Sequence, residues 1–145
     1  MKILASDDKT VKLWTVNRQQ FVSSLIGHKN WVRSAQFSPD ARMALSGGDD
    51  KVLKLWDLRA KQTIAEYYES RGQINSVKFH PSGNSVAAAG DDCSTRIWDL
   101  RTHKLLQHYT VSSNYCLLVL ASLTFNNCGL GTLGSGNFTF VPSKR

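Results

Sequence analysis

Apolar residues in this chain fall in short runs with a period near two, separated by clusters of glycine, aspartate, serine and proline. Val32, Ala35 and Phe37 take alternating positions in one run, and Ile74, Val77 and Phe79 in another. Pro39-Asp40 and Pro81-Ser82-Gly83 close these runs with turn chemistry: proline presets one turn dihedral and glycine accepts a left-handed one. The stretches Met43-Ala44-Leu45 and Val86-Ala87-Ala88-Ala89 follow, each ending in glycine and paired aspartates. Val52, Leu53, Leu55 and Trp56 mark a third segment of the unit. A fourth runs from Gln20 to Ile26, from Thr63 to Tyr68 and from Lys104 to Tyr109. Neighbouring side chains of a strand face opposite ways, so the pattern predicts strands, and helical periodicity is missing. Four short strands per unit with tight turns make an antiparallel meander, an all-β architecture.

The pattern also repeats. The octapeptides DDKTVKLW, DDKVLKLW and DDCSTRIW end in Trp14, Trp56 and Trp98, at intervals of 42 residues. Trp31 to Asp40 falls on Gln73 to Ser82 at the same offset. A fixed period of this length means that one supersecondary unit is stacked several times. Such arrays present binding surfaces.

Gly27-His28, Ser38-Pro39-Asp40, Ser46-Gly47-Gly48-Asp49-Asp50 and Leu55-Trp56-Asp57 resemble WD40 repeats, and Phe79-His80-Pro81-Ser82-Gly83 through Trp98-Asp99 is similar to a second copy. The resemblance covers roughly residues 3–111. It implies a partial β-propeller of four-stranded blades: the last two strands of one blade and two full blades. WD40 blades often hold a buried network of His, Ser or Thr, Asp and Trp, which falls here on His28, Ser46, Asp50 and Trp56. The third repeat keeps Asp92 and Trp98 but has Ser70 and Ala88 at the other two places. The first keeps Asp8 and Trp14, with Leu4 at the hydroxyl position. Only the middle unit therefore carries the whole network, and the other two are expected to be less rigid.

The stretch His28 to Asp40, and Phe79 to Gly90 continued by Ile97 to Tyr109, are similar to the POC family of centriolar WD40 proteins. That resemblance implies a scaffold in centriole or basal body assembly and cilium formation. Its partners would be centriolar or cytoskeletal proteins, microtubules among them, and its setting the cytoplasm and cytoskeleton. A generic WD40 adaptor in a ubiquitin ligase or an RNA-processing complex is the alternative.

Composition narrows the chemistry. A net charge of +7 is dispersed along the chain, with no like-charge block and no nucleic-acid-reading motif. The longest apolar stretch, Cys116 to Leu123, is far too short to span a bilayer, and the N-terminal MKILASDDKT does not read as a secretory signal. Three cysteines without a CxxC pairing argue against a disulfide framework and a zinc site, so a reducing compartment is expected. No phosphate loop, nucleophile elbow or HExxH motif is present. No catalytic activity, cofactor, metal, nucleic acid or membrane partner is expected. The doublets Asp7-Asp8, Asp49-Asp50 and Asp91-Asp92 read as turn formers.

The repeats are expected to occupy residues 1–111. Residues 112–145 read as a divergent tail: a degenerate fourth blade, a disordered segment or an aberrant C-terminus. With fewer than the roughly 4–8 blades that close a propeller, the chain reads as an open piece of a ring. Two flat apolar blade faces and unpaired strand edges would then invite self-association. The loops before the first strands, with Lys29, Asn30 and Trp31 in one repeat and Arg71 in the next, are candidate docking positions, as is Lys51. Strand alternation would turn Trp31 away from Val32, beside Lys29 and Arg33, or pack it on the neighbouring blade.

Overall fold

The computed structural model describes residues 1–68, 70–111 and 138–139, and every regular element among them is a strand. The first sheet contains β1 (Lys2–Ala5), β2 (Thr10–Trp14) and β3 (Phe21–Ile26). The second contains β4 (Val32–Phe37), β5 (Met43–Gly48), β6 (Leu53–Asp57) and β7 (Gln62–Tyr67). The third contains β8 (Ile74–Phe79), β9 (Ser85–Gly90), β10 (Ser94–Asp99) and β11 (Leu105–Val111), and β12 (Phe138–Thr139) extends it beyond β11. Each sheet is an antiparallel meander in chain order.

One expectation changes here. The first sheet has three strands and not two, because Lys2–Ala5 pairs with Val11–Trp14 and sets Leu4 opposite Lys12. The pair Ser46↔Lys54 has the same relation in the second sheet, so β1 is the counterpart of β5. In the tail, Phe138 and Thr139 pair with Val111 and Thr110. The alternatives set out for the remainder of residues 112–145 lie outside the described residues.

Sheets pack face to face. Between the first and second, Val11, Leu13 and Leu25 meet Val32, Ala44 and Trp56. Between the second and third, Leu45, Leu53, Leu55 and Tyr67 meet Ile74, Val77, Val86, Ala88 and Trp98. Alternation along β6 explains this: Leu53 and Leu55 face forward, Trp56 backward, and each fully buried side chain of this size contributes about 1.5–3 kcal/mol. Facing β4, β8 leaves amides that its own sheet does not bond. Ser34 Oγ accepts the Val77 amide at 3.2 Å and Gln36 Oε1 the Phe79 amide at 2.8 Å.

Simple alternation fails at the bulges. Val32 pairs with Gly48 but Ser34 with Gly47, which makes Arg33 an extra residue, and Asn75 is its counterpart in β8. Val32 and Ala35 thus share a face although three positions apart. A second set of bulges leaves Val22, Ile64 and Leu106 unpaired on the outer strands, and all three are exposed. Bulges bend a strand and sharpen its twist.

The two outer faces differ in exposure. On the first sheet's far face Leu4 is 50% exposed and Ile26 79%. Ala87, Thr95 and Ile97, on the third sheet's far face, are buried.

Candidate functional site

The turn between β5 and β6 organises the middle sheet. Asp50 Oδ1 accepts the Val52 amide at 3.2 Å, and Lys51 between them takes φ 64°. The same aspartate turn recurs at Asp8, bonded to the Thr10 amide, and at Asp92, bonded to the Ser94 amide, with Lys9 and Cys93 left-handed. The second aspartate of each doublet therefore builds a turn, which a short carboxylate does well. No group of three or more His, Cys, Asp or Glu among the described residues is placed to hold a metal ion.

Asp50 Oδ2 also accepts from the Lys29 amide at 3.0 Å and lies 2.7 Å from His28 Nδ1. His28 Nε2 is 2.6 Å from Ser46 Oγ, which accepts from Trp56 Nε1 at 2.8 Å. A carboxylate only accepts, so the His28 proton sits on Nδ1, and the Ser46 hydroxyl donates to Nε2. The chain Trp56 to Ser46 to His28 to Asp50 then leaves no donor unused. Burial raises the Asp50 pKa, but the His28 hydrogen bond and the Lys29 and Val52 amides outweigh it, holding the carboxyl below its ordinary value.

The outer sheets solve the problem differently. Ala88 and Leu4 stand where Ser46 would, and the buried Nε1 atoms of Trp98 and Trp14 have no hydrogen-bond partner among the described residues. Asp92 takes Arg96 at 2.7 Å, and Asp8 takes Lys12 at 2.5 Å. Burial raises Asp92, but Arg96 and Ser94 bring it down to about 2. Lys12, Thr10 and Ser6 hold exposed Asp8 below the usual carboxylate range. In the middle sheet His28 already occupies Asp50, so the equivalent cation, buried Lys54, pairs with Glu66 on β7, which also accepts from the Tyr68 hydroxyl.

The candidate docking positions lie around the same turn, except Arg71, which lies at the equivalent turn of the third sheet. Lys29, Asn30, Trp31, Lys51 and Arg71 are all exposed. Trp31 precedes β4, so strand alternation does not orient it, and it is 50% exposed. Its backbone is held from both sides: Asn30 Oδ1 accepts its amide at 2.9 Å, and its carbonyl accepts the Asp49 amide at 2.8 Å. A Cβ on Gly48 would come within 1.9 Å of that carbonyl oxygen, so glycine is required for this approach. Arg71 is the counterpart of Lys29, its amide donating to Asp92 Oδ2 at 3.3 Å.

Arg33 does not join Trp31 as a free cation. Its guanidinium binds Asp49 and reaches Gln73 Oε1 at 2.9 Å, tying the second sheet to the third. Sequence reasoning missed this clamp. The signal was available in the three-residue spacings Val32 to Ala35 and Ile74 to Val77, which mark the bulges.

Sheets joined as meanders, stacked face to face and centred on buried tryptophans are β-propeller blades. The family model "WD domain, G-beta repeat" matches residues 19–57 and 61–99, more than half of the chain, and the chain belongs to the WD40 family. Each matched unit begins before or at the outer strand of one sheet and ends with the third strand of the next.

The chain is similar to nuclear distribution protein PAC1 of Coccidioides posadasii, 46% identical over 44 residues, which are 30% of this chain and 9% of that protein. PAC1 of Arthroderma otae is 48% identical over 46 residues, 32% of this chain and 10% of the relative. The Lissencephaly-1 homolog of Dictyostelium discoideum is 42% identical over 43 residues, 30% and 10% respectively. The chain thus spans about a tenth of the length of the curated relatives it matches. These likenesses establish the repeat and not the centriolar subfamily. WD40 repeats make this chain a protein-interaction scaffold.

Proposed function

We propose that the chain is a non-catalytic scaffold that docks other proteins through the rim around Trp31, and that it serves centriole or basal body assembly in the cytoplasm. The rim reading rests on Trp31: a large aromatic, half exposed, on a backbone bonded at both its amide and its carbonyl. Rigid aromatic anchors lose little conformational freedom on binding, which suits them to the centre of an interface. Lys29 and Lys51, exposed beside it and without an ion pair among the described residues, would favour an acidic partner surface. The centriolar reading is supported by the likeness of Phe79 to Gly90 and Ile97 to Tyr109 to POC proteins. The names of the PAC1 relatives favour a second reading, a role in nuclear distribution.

Localisation separates the two. A tagged chain is expected in centriolar foci, and Trp31→Ala with Lys29→Ala is expected to disperse it while leaving the melting temperature unchanged. Foci that persist in the double variant would remove the rim. Diffuse or perinuclear signal from the unaltered chain would remove the centriolar assignment.

A further inference from the structure

The three outer strands are equivalent in position but finished in different ways. The edge of β11 is already taken by Phe138–Thr139 at Val111 and Thr110. The β7 edge carries Glu66, tied to Lys54 and Tyr68, so two such edges brought together would oppose like charges. The β3 edge has neither device. Its sequence, FVSSLI, contains no charged residue and no proline, and β3 ends its sheet among the described residues. Val22 is 41% exposed and Ile26 79%. A charge-free, uncovered edge strand is a template for another strand.

We propose that β3 is a self-association edge, pairing antiparallel with β3 of a second copy of this chain. Three observations select a second copy. Antiparallel pairing of a strand with itself is self-complementary under two-fold symmetry and needs no foreign sequence. Centred on Ser24, it sets Val22 beside Ile26 of the other copy and Ser23 beside Leu25, so same-face residues meet without opposed charges. The third sheet shows that a segment of this same chain is accepted on the equivalent edge, at the residue corresponding to Ile26. The bulge at Val22 limits regular pairing to Ser23–Leu25, with Val22 and Ile26 meeting as side chains at its ends, and makes the association weak and concentration-dependent.

The test is light scattering after size exclusion over about a hundredfold range of concentration, with hydrogen exchange on the same samples. Dimer is expected at the upper end, with protection of the Ser23–Leu25 amides rising as dimer forms. Ile26→Lys, at a site exposed enough to tolerate the change, is expected to weaken the dimer by about tenfold or more. Leu4→Lys, on the open face of the same sheet but away from the edge, is expected to leave it intact. A strict monomer, a dimer without added protection in β3, or a dimer broken by Leu4→Lys would each overturn the proposal. The exchange measurement on the unaltered chain decides the matter even if a variant fails to fold.

Discussion

Gln36 and Phe79, on different sheets, are joined by a hydrogen bond of 2.8 Å from the Phe79 amide to Gln36 Oε1. A first strand has one edge outside its own sheet's ladder, and the side chain of a neighbouring blade supplies the acceptor. Gln36→Leu keeps the bulk and removes the acceptor, and is expected to cost about 1–3 kcal/mol, the penalty of an unsatisfied, partly buried amide. Gln36→Glu retains the oxygen and should cost less at neutral pH. Denaturant unfolding of both variants checks the order.

The contrast between Trp56 and Trp98 gives a second prediction. Ser46→Ala removes the acceptor for Trp56 Nε1 and the donor for His28 together, and should destabilise by about 1–3 kcal/mol. In the third sheet neither Ala88→Ser nor Ser70→His alone completes a network. Together they should be more favourable than the sum of the single changes by about 0.5–3 kcal/mol. A double-mutant cycle in urea measures that coupling, and strict additivity would show that Arg96 keeps Asp92 from any imidazole.

Ala41 takes φ 55° where the third sheet has Gly83 at φ 73°. A left-handed residue with a Cβ is strained by about 1–2 kcal/mol, whereas glycine is not. Ala41→Gly is expected to stabilise the chain, with part of the gain lost to the freedom of glycine in the unfolded state. A higher unfolding midpoint is the expected readout, and an unchanged or lower one would contradict it.

Acid should weaken the stack through its turn aspartates. Asp92 is held at about 2 in the folded chain, against an ordinary 3.8. A lowered folded value means that its ion pair contributes fully above about pH 4 and is lost as pH falls towards 2. Asp50 shifts in the same direction and adds to the same acid limb. Thermal melts between neutral pH and pH 2 should show falling stability, and Asp92→Asn should flatten the curve while lowering its neutral plateau.

Strand existence was legible because most strands keep apolar residues on their buried side, and the recurring tryptophans set the period. The residues of the central network were legible from their register: His28, Ser46, Asp50 and Trp56 come together as hydrogen-bonded neighbours. What alternation could not show was the bulge at Arg33. An inserted residue shifts all later side chains by one, and its own guanidinium becomes an inter-sheet clamp. Ser70 already showed that Asp92 lacks an imidazole partner, but alternation could not show that Arg96 takes its place. The strand β1 was missed because a four-residue segment at the chain end offers little pattern to read.

The offset between matched repeat and folded sheet has a consequence for how such chains lengthen. One unit supplies the outer strand of a blade and the next blade's inner three. A tandem duplication of 42 residues, wherever its breakpoints fell, would therefore add one blade in phase, each new junction reproducing an old one. Growth by gene duplication needs no aligned cut site in this architecture, whereas an insertion within a strand would turn the later side chains of that strand to the opposite face.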